Sequence, residues 1–600
     1  MHLVDIHDEF THFMANMTCL SVMSVRYSSR CILAKKLRDC DRYTNIINYF
    51  ELMYCDLKVR NESKEIGVLC LFVLIYFLFF CVVFICINEY YLPALKIAAI
   101  RLKLNEYLAG VLLVGVANST SDFMLNFSAV RSGSPTMNLA MSNALTSICV
   151  MGGTIYVIMP FKINSASVFR DFLFVIFLLQ LIRFFIQTDS PTYWVKGLII
   201  LLIYPIYLAV NIIDFLLMRY NIRKLRREIE ILRYKRSSPM LDKKLYDKVT
   251  TLKDLEVDDD FKILRMKTRY GIFRAGVFVT PKPLVEPRKV DVESNRVLFH
   301  NKNNPKNRFL FTEFIQDLNP IDPEHWMFSG KYGRAALICV SPAMFLLRLA
   351  IPMVNYEQIK HGWSKLLNCI QIITNPFLVA ILLETAYFTT HNNSWLINIY
   401  FDKALWSLAV TVPLSLIVFV DTRTDIPPPY HKLFSIFTIV TVVTLIWICS
   451  WEMEVIISII GSVFNQSSNY MTVTFNAFSN AVPDMIAYIQ LSKNGYGKMA
   501  FGGIVGGIVF DITINLGAQF ARSNSESRHL LGDFGETIYI FLLLTVFSTS
   551  WMCLVLDFNA RRSGGIFLWC LYVMFFIYVT LIEANVIHDF TADTVIEVKD

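Results

Sequence analysis

The sequence contains little charge for its length. Only 18% of its 600 residues are Asp, Glu, Lys or Arg, whereas soluble domains carry about 25%. It also lacks the motifs of common enzymes: there is no glycine-rich nucleotide-binding loop, no nucleophile elbow and no zinc-ligand spacing of Cys and His. These absences exclude a chain of ordinary soluble domains, and they predict a protein that is not an enzyme.

Long apolar runs take the place of charge, and 55% of the residues are hydrophobic. A helix needs about 20 predominantly apolar residues to cross a bilayer. A further apolar patch, 335–354, is broken by Arg348 and Pro352, and we interpret it as an interfacial or re-entrant piece. The prediction is an all-α polytopic membrane protein. Its twelve transmembrane helices are predicted at 66–88, 107–130, 136–160, 168–187, 193–218, 367–390, 398–421, 431–451, 469–490, 497–520, 535–557 and 565–588.

Basic residues predict the orientation of these spans. The segment 219–236, an expected amphipathic helix after the fifth span, holds much of the positive charge, and the positive-inside rule places it in the cytosol or the mitochondrial matrix. Arg522 and Arg528 fall on the opposite side, so the rule holds on balance. Two glycosylation sequons, at Asn118 and Asn126, lie inside a predicted span, and the other four then face the exterior or lumen. They begin at Asn16, Asn61, Asn392 and Asn465.

Four cysteines precede the first span: Cys19, Cys31, Cys40 and Cys55. An even number in an exterior segment indicates one or two disulfides, with three alternative pairings, although a set of free thiols remains the other interpretation. The first twenty residues lack the apolar core of a secretory signal and are too acidic for a mitochondrial presequence. Sequons and exterior cysteines together favour the secretory route and the plasma membrane.

The spans and the charge divide the chain into six predicted segments. The interior loop is too short for two β-sandwich domains of about 100 residues each, and it shows no EF-hand pattern. We therefore expect a regulatory loop of another kind. The segments are a Cys-bearing exterior tail (1–65), a first membrane region (66–218), the interior loop (219–366), two additional spans (367–421), a second membrane region (422–588) and a C-terminal tail (589–600).

An internal repeat is the most informative feature of the sequence. The second span contains ANSTSD (117–122) and the ninth contains SNAVPD (479–484), so Asn precedes Asp by four positions in both. That spacing puts the two side chains on one face of a helix. The second span runs from inside to outside and the ninth from outside to inside. The copies are therefore inverted, as in many secondary transporters whose binding site lies at the membrane midplane.

Three carboxylates lie inside these spans. Asp122 and Asp484 are the sole charged residues of spans two and nine, and Asp511 lies deep in span ten. A charge at the bilayer centre costs about 2.5–3.5 kcal/mol, so it normally faces a partner or a water-filled path. One alternative is a structural carboxylate bonded to Ser or Thr. However, the repeated acids have no Lys or Arg in spans two, three or nine, so the missing counter-charge is predicted to be a mobile cation.

The residues around the acids favour a hard cation. Calcium takes 6–8 oxygen ligands from carboxylates, amides and carbonyls, and Pro483 would free a backbone carbonyl one turn earlier. Zinc or copper would need His or Cys, and these helices offer only Cys149. The sequence predicts an alkali or alkaline-earth site. Its oxygen donors are Asn118, Ser119, Thr120, Ser121, Ser142, Asn143 and Thr146 in one copy and Ser479 and Asn480 in the other.

These motifs resemble the calcium/cation antiporter superfamily and, within it, the mitochondrial-type sodium(lithium)/calcium exchanger branch. The most specific segment is NGYGKMAFGGIVGGIVFDI (494–512), which looks like the second family repeat, and the resemblance covers about residues 19 to 588. It implies two inverted five-helix halves, spans one to five and eight to twelve, with spans six and seven additional. It also implies exchange of calcium for sodium or lithium by alternating access, with no cofactor.

The resemblance also implies the ion ligands. The family repeats read approximately G-N-G-A-P-D and G-N-S-x-G-D, and their Asn and Asp side chains bind the ions. The first repeat here has Ala117, Ser119 and Ser121 in place of the glycines and proline, which puts transport rate and selectivity in question. The predicted ligands are Asn118, Asp122, Asn480, Asp484 and Asp511, with Ser142, Thr146 (register uncertain by one) and Ser479.

Two alternatives to sodium/calcium exchange stay open from the sequence. The first is an antiporter coupled to potassium or protons, and the second is a degenerate family member that regulates a partner without transporting. The expected partners are calcium and sodium ions and the lipid bilayer, with no nucleic acid. The resemblance also allows the mitochondrial inner membrane as the location.

Overall fold

A computed structural model describes most of the chain, and everything below concerns only that part. The described residues are 25–37, 40, 46–126, 136–163, 165–187, 193–234, 239–259, 272–274, 277–279, 305–321, 323–355, 359–387, 403–522 and 534–588.

The described residues are almost entirely helical. Two short antiparallel strand pairs occur as well, β1 (Phe161–Lys162) with β4 (Asn559–Ala560) and β2 (Ile272–Arg274) with β3 (Val277–Val279). The helices are α1 (Tyr27–Lys36), α2 (Glu62–Leu102), α3 (Glu106–Leu125), α4 (Met137–Ile158), α5 (Ser165–Gln187), α6 (Tyr193–Tyr234), α7 (Pro239–Asp259), α8 (Leu310–Leu318), α9 (Pro323–Phe328), α10 (Lys331–Ala350), α11 (Lys365–Tyr387), α12 (Ala404–Asp421), α13 (Phe434–Val463), α14 (468–493), α15 (Gly497–Ala521), α16 (Gly535–Val555) and α17 (Arg562–Glu583).

Eleven helices of the described part are long and apolar enough to cross a membrane: α2, α3, α4, α6, α10, α11, α12, α13, α15, α16 and α17. The predicted all-α polytopic membrane class is therefore confirmed. Two further predicted spans, 168–187 and 469–490, form α5 and α14, which are long enough to cross a bilayer but are not among these eleven helices. The amphipathic helix expected at 221–236 forms the C-terminal end of α6 as far as Tyr234, and residues 235–236 lie outside the described part.

Most of the apolar patch 335–354, which the sequence predicts to be an interfacial or re-entrant piece, belongs to α10. The helix is continuous through Arg348 and ends before Pro352. The last carbonyls of a helix have no partner inside the helix, and here α11 supplies partners. Gln371 donates to the carbonyls of Arg348 (2.6 Å) and Ile351 (3.0 Å), while Thr374 donates to that of Leu349 (2.8 Å).

By its internal contacts the chain forms two compact units, each built from separated stretches. Unit 1 comprises Met1–Ala94, Ser121–Thr136 and Lys289–Pro483, and unit 2 comprises Leu95–Thr120, Met137–Arg288 and Asp484–Asp600.

Unit 1 contains the N-terminal tail, which packs on α2 and α13. Cys31 and Cys55 form a disulfide, and Cys40 is disulfide-bonded as well, so the prediction of tail disulfides is confirmed. Tyr49 donates its phenol hydrogen to the fully buried Glu452 carboxylate of α13 (2.5 Å). Phe50 joins the buried apolar cluster beside it. The tail is therefore an integral part of this unit.

A buried ion pair fixes the tail to the start of α2. Arg30 and Glu65 lie 3.0 Å apart, with about a tenth of each side chain exposed. Tyr54 donates to the same carboxylate at 2.6 Å. Burial, reinforced by this hydrogen bond, holds the pKa of the Tyr54 phenol above its usual value. The phenol therefore stays a donor to Glu65 across the physiological pH range.

Unit 2 contains a crossing of α3 and α15 at backbone distance. A Cβ atom built on Gly115 would lie 2.8 Å from the backbone nitrogen of Gly507, and one built on Gly506 would lie 2.8 Å from the Cα of Val111. Small residues allow helices to approach this closely. The glycines of span ten thus bring its backbone onto the helix that carries the first repeat.

Candidate cation-binding site

The predicted ligands divide between the two units. Asp122, Ser479 and Asn480 lie in unit 1, whereas Asn118, Ser142, Thr146, Asp484 and Asp511 lie in unit 2. The three carboxylates are half-buried, while the five amide and hydroxyl residues are buried. Each unit therefore contains at least one half-buried carboxylate together with buried neutral oxygens.

All four helices that carry these residues contain a π-helical turn. In the first repeat the turns are Gly110–Gly115, before Asn118, and Ser147–Gly152, directly after Thr146. In the second repeat they are Thr472–Asn476, before Ser479, and Asp511–Asn515, which begins at Asp511. Such turns are rare and frequently occur at functional sites. Their matched positions show that the repeat extends from the sequence motif to the backbone.

In unit 2, residues next to three predicted ligands meet at Gly507. Ser119 donates its hydroxyl hydrogen to the Gly507 carbonyl at 3.3 Å. The Tyr488 hydroxyl lies 3.6 Å from the point where a Gly507 Cβ would be. Ser119 follows Asn118, Tyr488 lies one helical turn after Asp484, and Gly507 lies one turn before Asp511. Asn118, Asp484 and Asp511 are therefore each within one turn of a common point.

The remaining unit 2 ligands line the neighbouring turns. The Asp511 carboxylate accepts a hydrogen bond from the Asn515 side-chain amide at 2.8 Å. The Ser142 hydroxyl is buried and has no hydrogen-bond partner among the described residues. Thr146 makes a long contact with the Tyr572 hydroxyl at 3.5 Å. The buried oxygens of α4 are thus weakly engaged with the protein.

In unit 1 the second repeat presents an unsatisfied amide. Asn480 is 3% exposed, and neither polar atom of its carboxamide has a hydrogen-bond partner in the described part of the chain. Ser479 beside it is fully buried and lies 3.4 Å from the Tyr76 hydroxyl of α2. A buried amide without partners carries a desolvation penalty of about 1–3 kcal/mol, which a bound cation would offset through the amide oxygen.

Sequence reasoning missed several polar residues on the same helix faces. Asn138 lies four residues before Ser142, is fully buried and has no described partner for either amide atom. Asn515 and Gln519 follow Asp511 at the same spacing, and each has an unpartnered side-chain oxygen within the described residues. The four-residue period, applied beyond the motifs, would have found all three.

A second missed feature is an ion-pair cluster in unit 2. Arg170 donates to the carboxylates of Asp171 (2.9 Å) and Asp214 (2.6 Å), and the fully buried Asp171 also accepts from Tyr107 at 2.7 Å. The cluster links α3, α5 and α6. Among the described residues, no three His, Cys, Asp or Glu side chains are grouped to hold a metal ion.

Comparison with known proteins places this geometry in a family. The model of the sodium/calcium exchanger protein family matches residues 72–213 and 434–581. The mitochondrial sodium/calcium exchanger protein of Rattus norvegicus is 23% identical over 588 residues, which cover 95% of this chain and 90% of that protein. The protein of the same name from Homo sapiens is 22% identical over 592 residues, 95% of this chain and 90% of that one.

Similarity extends to a further relative and a solved structure. The putative sodium/calcium exchanger 6 of Caenorhabditis elegans is 22% identical over 82% of this chain and 78% of its own. A structure of the sodium-calcium exchanger NCX_Mj covers 84% of this chain and 97% of its own at 11% identity, with a TM-score of 0.37 that is too low to establish a shared fold. The two matched regions contain both Asn/Asp repeats, and over these regions the chain matches the sodium/calcium exchanger protein family.

Proposed function

We propose that this chain is a secondary antiporter that exchanges calcium for sodium or lithium by alternating access. The observation that carries the proposal is the inverted Asn/Asp repeat in two family-matched regions, with intramembrane acids and no Lys or Arg in the predicted spans that bear the motifs, 107–130 and 469–490. The two membrane regions, 66–218 and 422–588, are the exchanging halves. The loop 219–366 is regulatory, and 367–421 adds two spans.

Each predicted ligand has a role in this proposal. Asp122 and Asp484 supply the carboxylates, Asn118 and Asn480 supply amide oxygens, and Asp511 adds a third acid. Calcium needs 6–8 oxygens, and neutral groups complete the shell without adding repulsion between acids. The unsatisfied carboxamide of Asn480 supports its role, because its oxygen gains a partner when an ion binds. The neutral hydroxyl ligands are Ser142, Thr146 and Ser479.

Electrostatics couples the two ions. Carboxylates that share one site repel each other unless a cation lies between them. An empty site therefore does not change its access readily, and transport proceeds as exchange rather than leak. Calcium and sodium are transported ions in this scheme, and the chemistry needs no cofactor.

The membrane of residence is a separate part of the proposal. The Cys31–Cys55 disulfide needs an oxidising compartment, and the sequon residues Asn61 and Asn465 are both exposed. These features support the plasma membrane or another membrane of the secretory route. Digestion of the cellular protein with an endoglycosidase tests this: a mobility shift that Asn61→Gln and Asn465→Gln reduce supports it, and unshifted protein in purified mitochondria contradicts it.

Calcium uptake into proteoliposomes of the purified chain tests the transport proposal. We expect uptake to require an outward sodium or lithium gradient and to be lost in Asp122→Asn and in Asp484→Asn. Asp557→Asn is the matched control, because it removes a carboxylate from the turn between α16 and α17. Size-exclusion profiles establish that the variants are folded.

The same assay separates the alternatives. Uptake driven by potassium or proton gradients in place of sodium would identify a different coupling ion. Folded protein without uptake under any of these gradients would identify a non-transporting family member. Uptake that persists in both Asp variants would refute the site.

A further inference from the structure

The end of the interior loop, residues 305–350, belongs to unit 1 and includes α8, α9 and α10. α10 has the length and hydropathy of a membrane span. Nevertheless, three features of unit 1 indicate that α10 does not cross the bilayer.

The first feature is a cavity of about 450 Å³. Glu89 and Tyr90, at the inner end of the first span, line it together with Gly362 and Ser364, which precede α11. These residues therefore lie on the same side of the membrane. Between Tyr90 and Gly362 the chain passes through four spans, α3 to α6. An even number of crossings returns the chain to the side of the membrane on which it started. A fifth crossing by α10 would place Gly362 on the opposite side.

The second feature is the packing of the exterior tail. Tyr54 bonds to Glu65 at the start of α2, and Tyr49 bonds to Glu452 late in α13. Both helix ends therefore lie on the tail side. From Glu65 to Glu452 the chain crosses through α2 to α6 and α11 to α13, which is an even number of spans. A crossing by α10 would make the number odd.

The third feature is the connection that leads into α10. Arg348, near the C-terminal end of α10, donates to the carbonyls of Asp317 (3.1 Å) and Asn319. The chain that leaves Asn319 beside this end of α10 therefore enters the helix at its opposite end, Lys331. If α10 crossed the bilayer, this connection, in which Pro320, Ile321, Ser329 and Gly330 are not helical, would cross the hydrocarbon too. Lipid-exposed irregular backbone does not occur there.

The surface of this segment suits the membrane interface. Large apolar side chains are exposed on it: Phe311 at 70%, Ile315 at 67%, Met327 at 68% and Phe328 at 89%. Phe311 and Ile315 are four residues apart and share one face of α8.

Basic and aromatic groups lie next to these apolar side chains. Lys331 and Arg334 begin α10 beside Tyr332, which is 94% exposed. The Arg334 guanidinium lies over the Trp326 ring at 5.3 Å and donates to the Trp326 carbonyl at 3.2 Å. Aromatic and basic residues of this kind occupy the headgroup level of membranes, and amphipathic helices lie there with their apolar faces inserted.

We propose that residues 308–350 form an interior anchor, which lies on the interior leaflet and binds anionic phospholipid headgroups through Lys331 and Arg334. Phe311, Ile315, Met327 and Phe328 insert into the leaflet. The lipid is the partner because the anchor joins apolar side chains to unpaired positive charge: no carboxylate within the described residues forms an ion pair with either basic side chain. The anchor holds the loop against the bilayer next to the first span.

Hydrogen exchange of the full chain in lipid nanodiscs tests the headgroup binding. Discs of phosphatidylcholine are compared with discs that contain 30% phosphatidylserine. We expect slower exchange over 309–334 in the anionic discs. Lys331→Gln/Arg334→Gln should remove this difference, since each basic residue near an anionic surface strengthens binding about fivefold. Lys243→Gln/Lys244→Gln, which neutralises two exposed lysines of α7, is the control and should retain it. Equal exchange in both discs would overturn lipid binding.

A labelling experiment tests the position of α10. Cys70, Cys339 and Cys570 are the exposed free thiols of the described part, and their replacement by Ser gives a background for Tyr332→Cys at the start of α10 and Met353→Cys after its end. A single crossing by α10 would move only the second position to the tail side, whereas a crossing by α10 together with the preceding connection would move only the first. A membrane-impermeant maleimide should label Cys introduced at either position only from the loop side of sealed vesicles. Labelling of either position from the tail side would show that α10 crosses and would overturn the proposal. Neither experiment depends on transport, so a failure of the anchor proposal can be distinguished from a failure of the proposed exchange.

Discussion

The crossing of α3 and α15 gives the sharpest structural prediction. Replacing Gly115 by Ala would place a Cβ 2.8 Å from the Gly507 nitrogen, 3.0 Å from the Gly503 carbonyl oxygen and 3.1 Å from the Gly506 carbonyl carbon. Ordinary contact begins near 3.4 Å, so the helices must separate by about half an ångström or more. All three obstacles are backbone atoms, and no side chain can rotate away.

Overpacking of this kind costs about 1–3 kcal/mol of folding free energy. Gly152 provides a matched control, because a Cβ there would lie 3.7 Å from its nearest neighbour, the Ser147 carbonyl oxygen. Gly152→Ala should be neutral or stabilising, since Ala favours a helix over Gly by about 1 kcal/mol.

Thermal unfolding of purified Gly115→Ala and Gly152→Ala measures the difference in stability between the two variants. Sodium-dependent calcium uptake measures the effect of each substitution on the cation site. We expect a lower Tm for Gly115→Ala than for the wild type, with reduced uptake because Ser119 is displaced from Gly507. A Tm for Gly115→Ala equal to that of Gly152→Ala would refute the backbone contact.

Three further predictions concern other parts of the chain. Cys31→Ser/Cys55→Ser should destabilise the tail by about 3 kcal/mol, the value for closing a loop of this length, and earlier proteolysis at the tail would show it; unchanged protease resistance would contradict it. Tyr49→Phe removes a donor from the buried Glu452 carboxylate and should lower stability by about 1–3 kcal/mol, with an unchanged Tm arguing against the contact. Asn138→Leu removes an amide without described partners, so we expect equal or higher Tm but lower calcium uptake, whereas unaltered uptake would exclude Asn138 from the ion path.

The sequence predicted the features that depend on local composition. Apolar length defined the spans, and the four-residue spacing of Asn118 and Asp122 put them on one helix. The same reasoning could have reached Asn138, which continues the face of Ser142. These properties belong to single helices, and the spacing of residues along the sequence is sufficient to predict them.

Features that depend on distant partners could not be predicted in this way. The sequence did not distinguish the three possible disulfide pairings of the four tail cysteines. The pairing of Cys31 with Cys55 follows from how the tail packs on α2 and α13. Arg170 and Asp171 appeared as adjacent charges in a span, and nothing local indicated Asp214, 44 residues further on. The π-helical turns have no characteristic amino-acid composition, so no sequence pattern predicted them.

The π-helical turns also constrain how many residues each of these helices can contain, whatever the identity of those residues. Each turn holds one residue more than the regular helix would need, and each residue advances an α-helix by about 100°. Deleting one residue from Thr472–Asn476 would relax the turn to a regular helix. The remainder of α14 would then be rotated by roughly a quarter turn or more relative to its start. Asn480 and Asp484 would keep their spacing but point elsewhere, so single-residue deletions at these four turns should be as damaging as the loss of an acid.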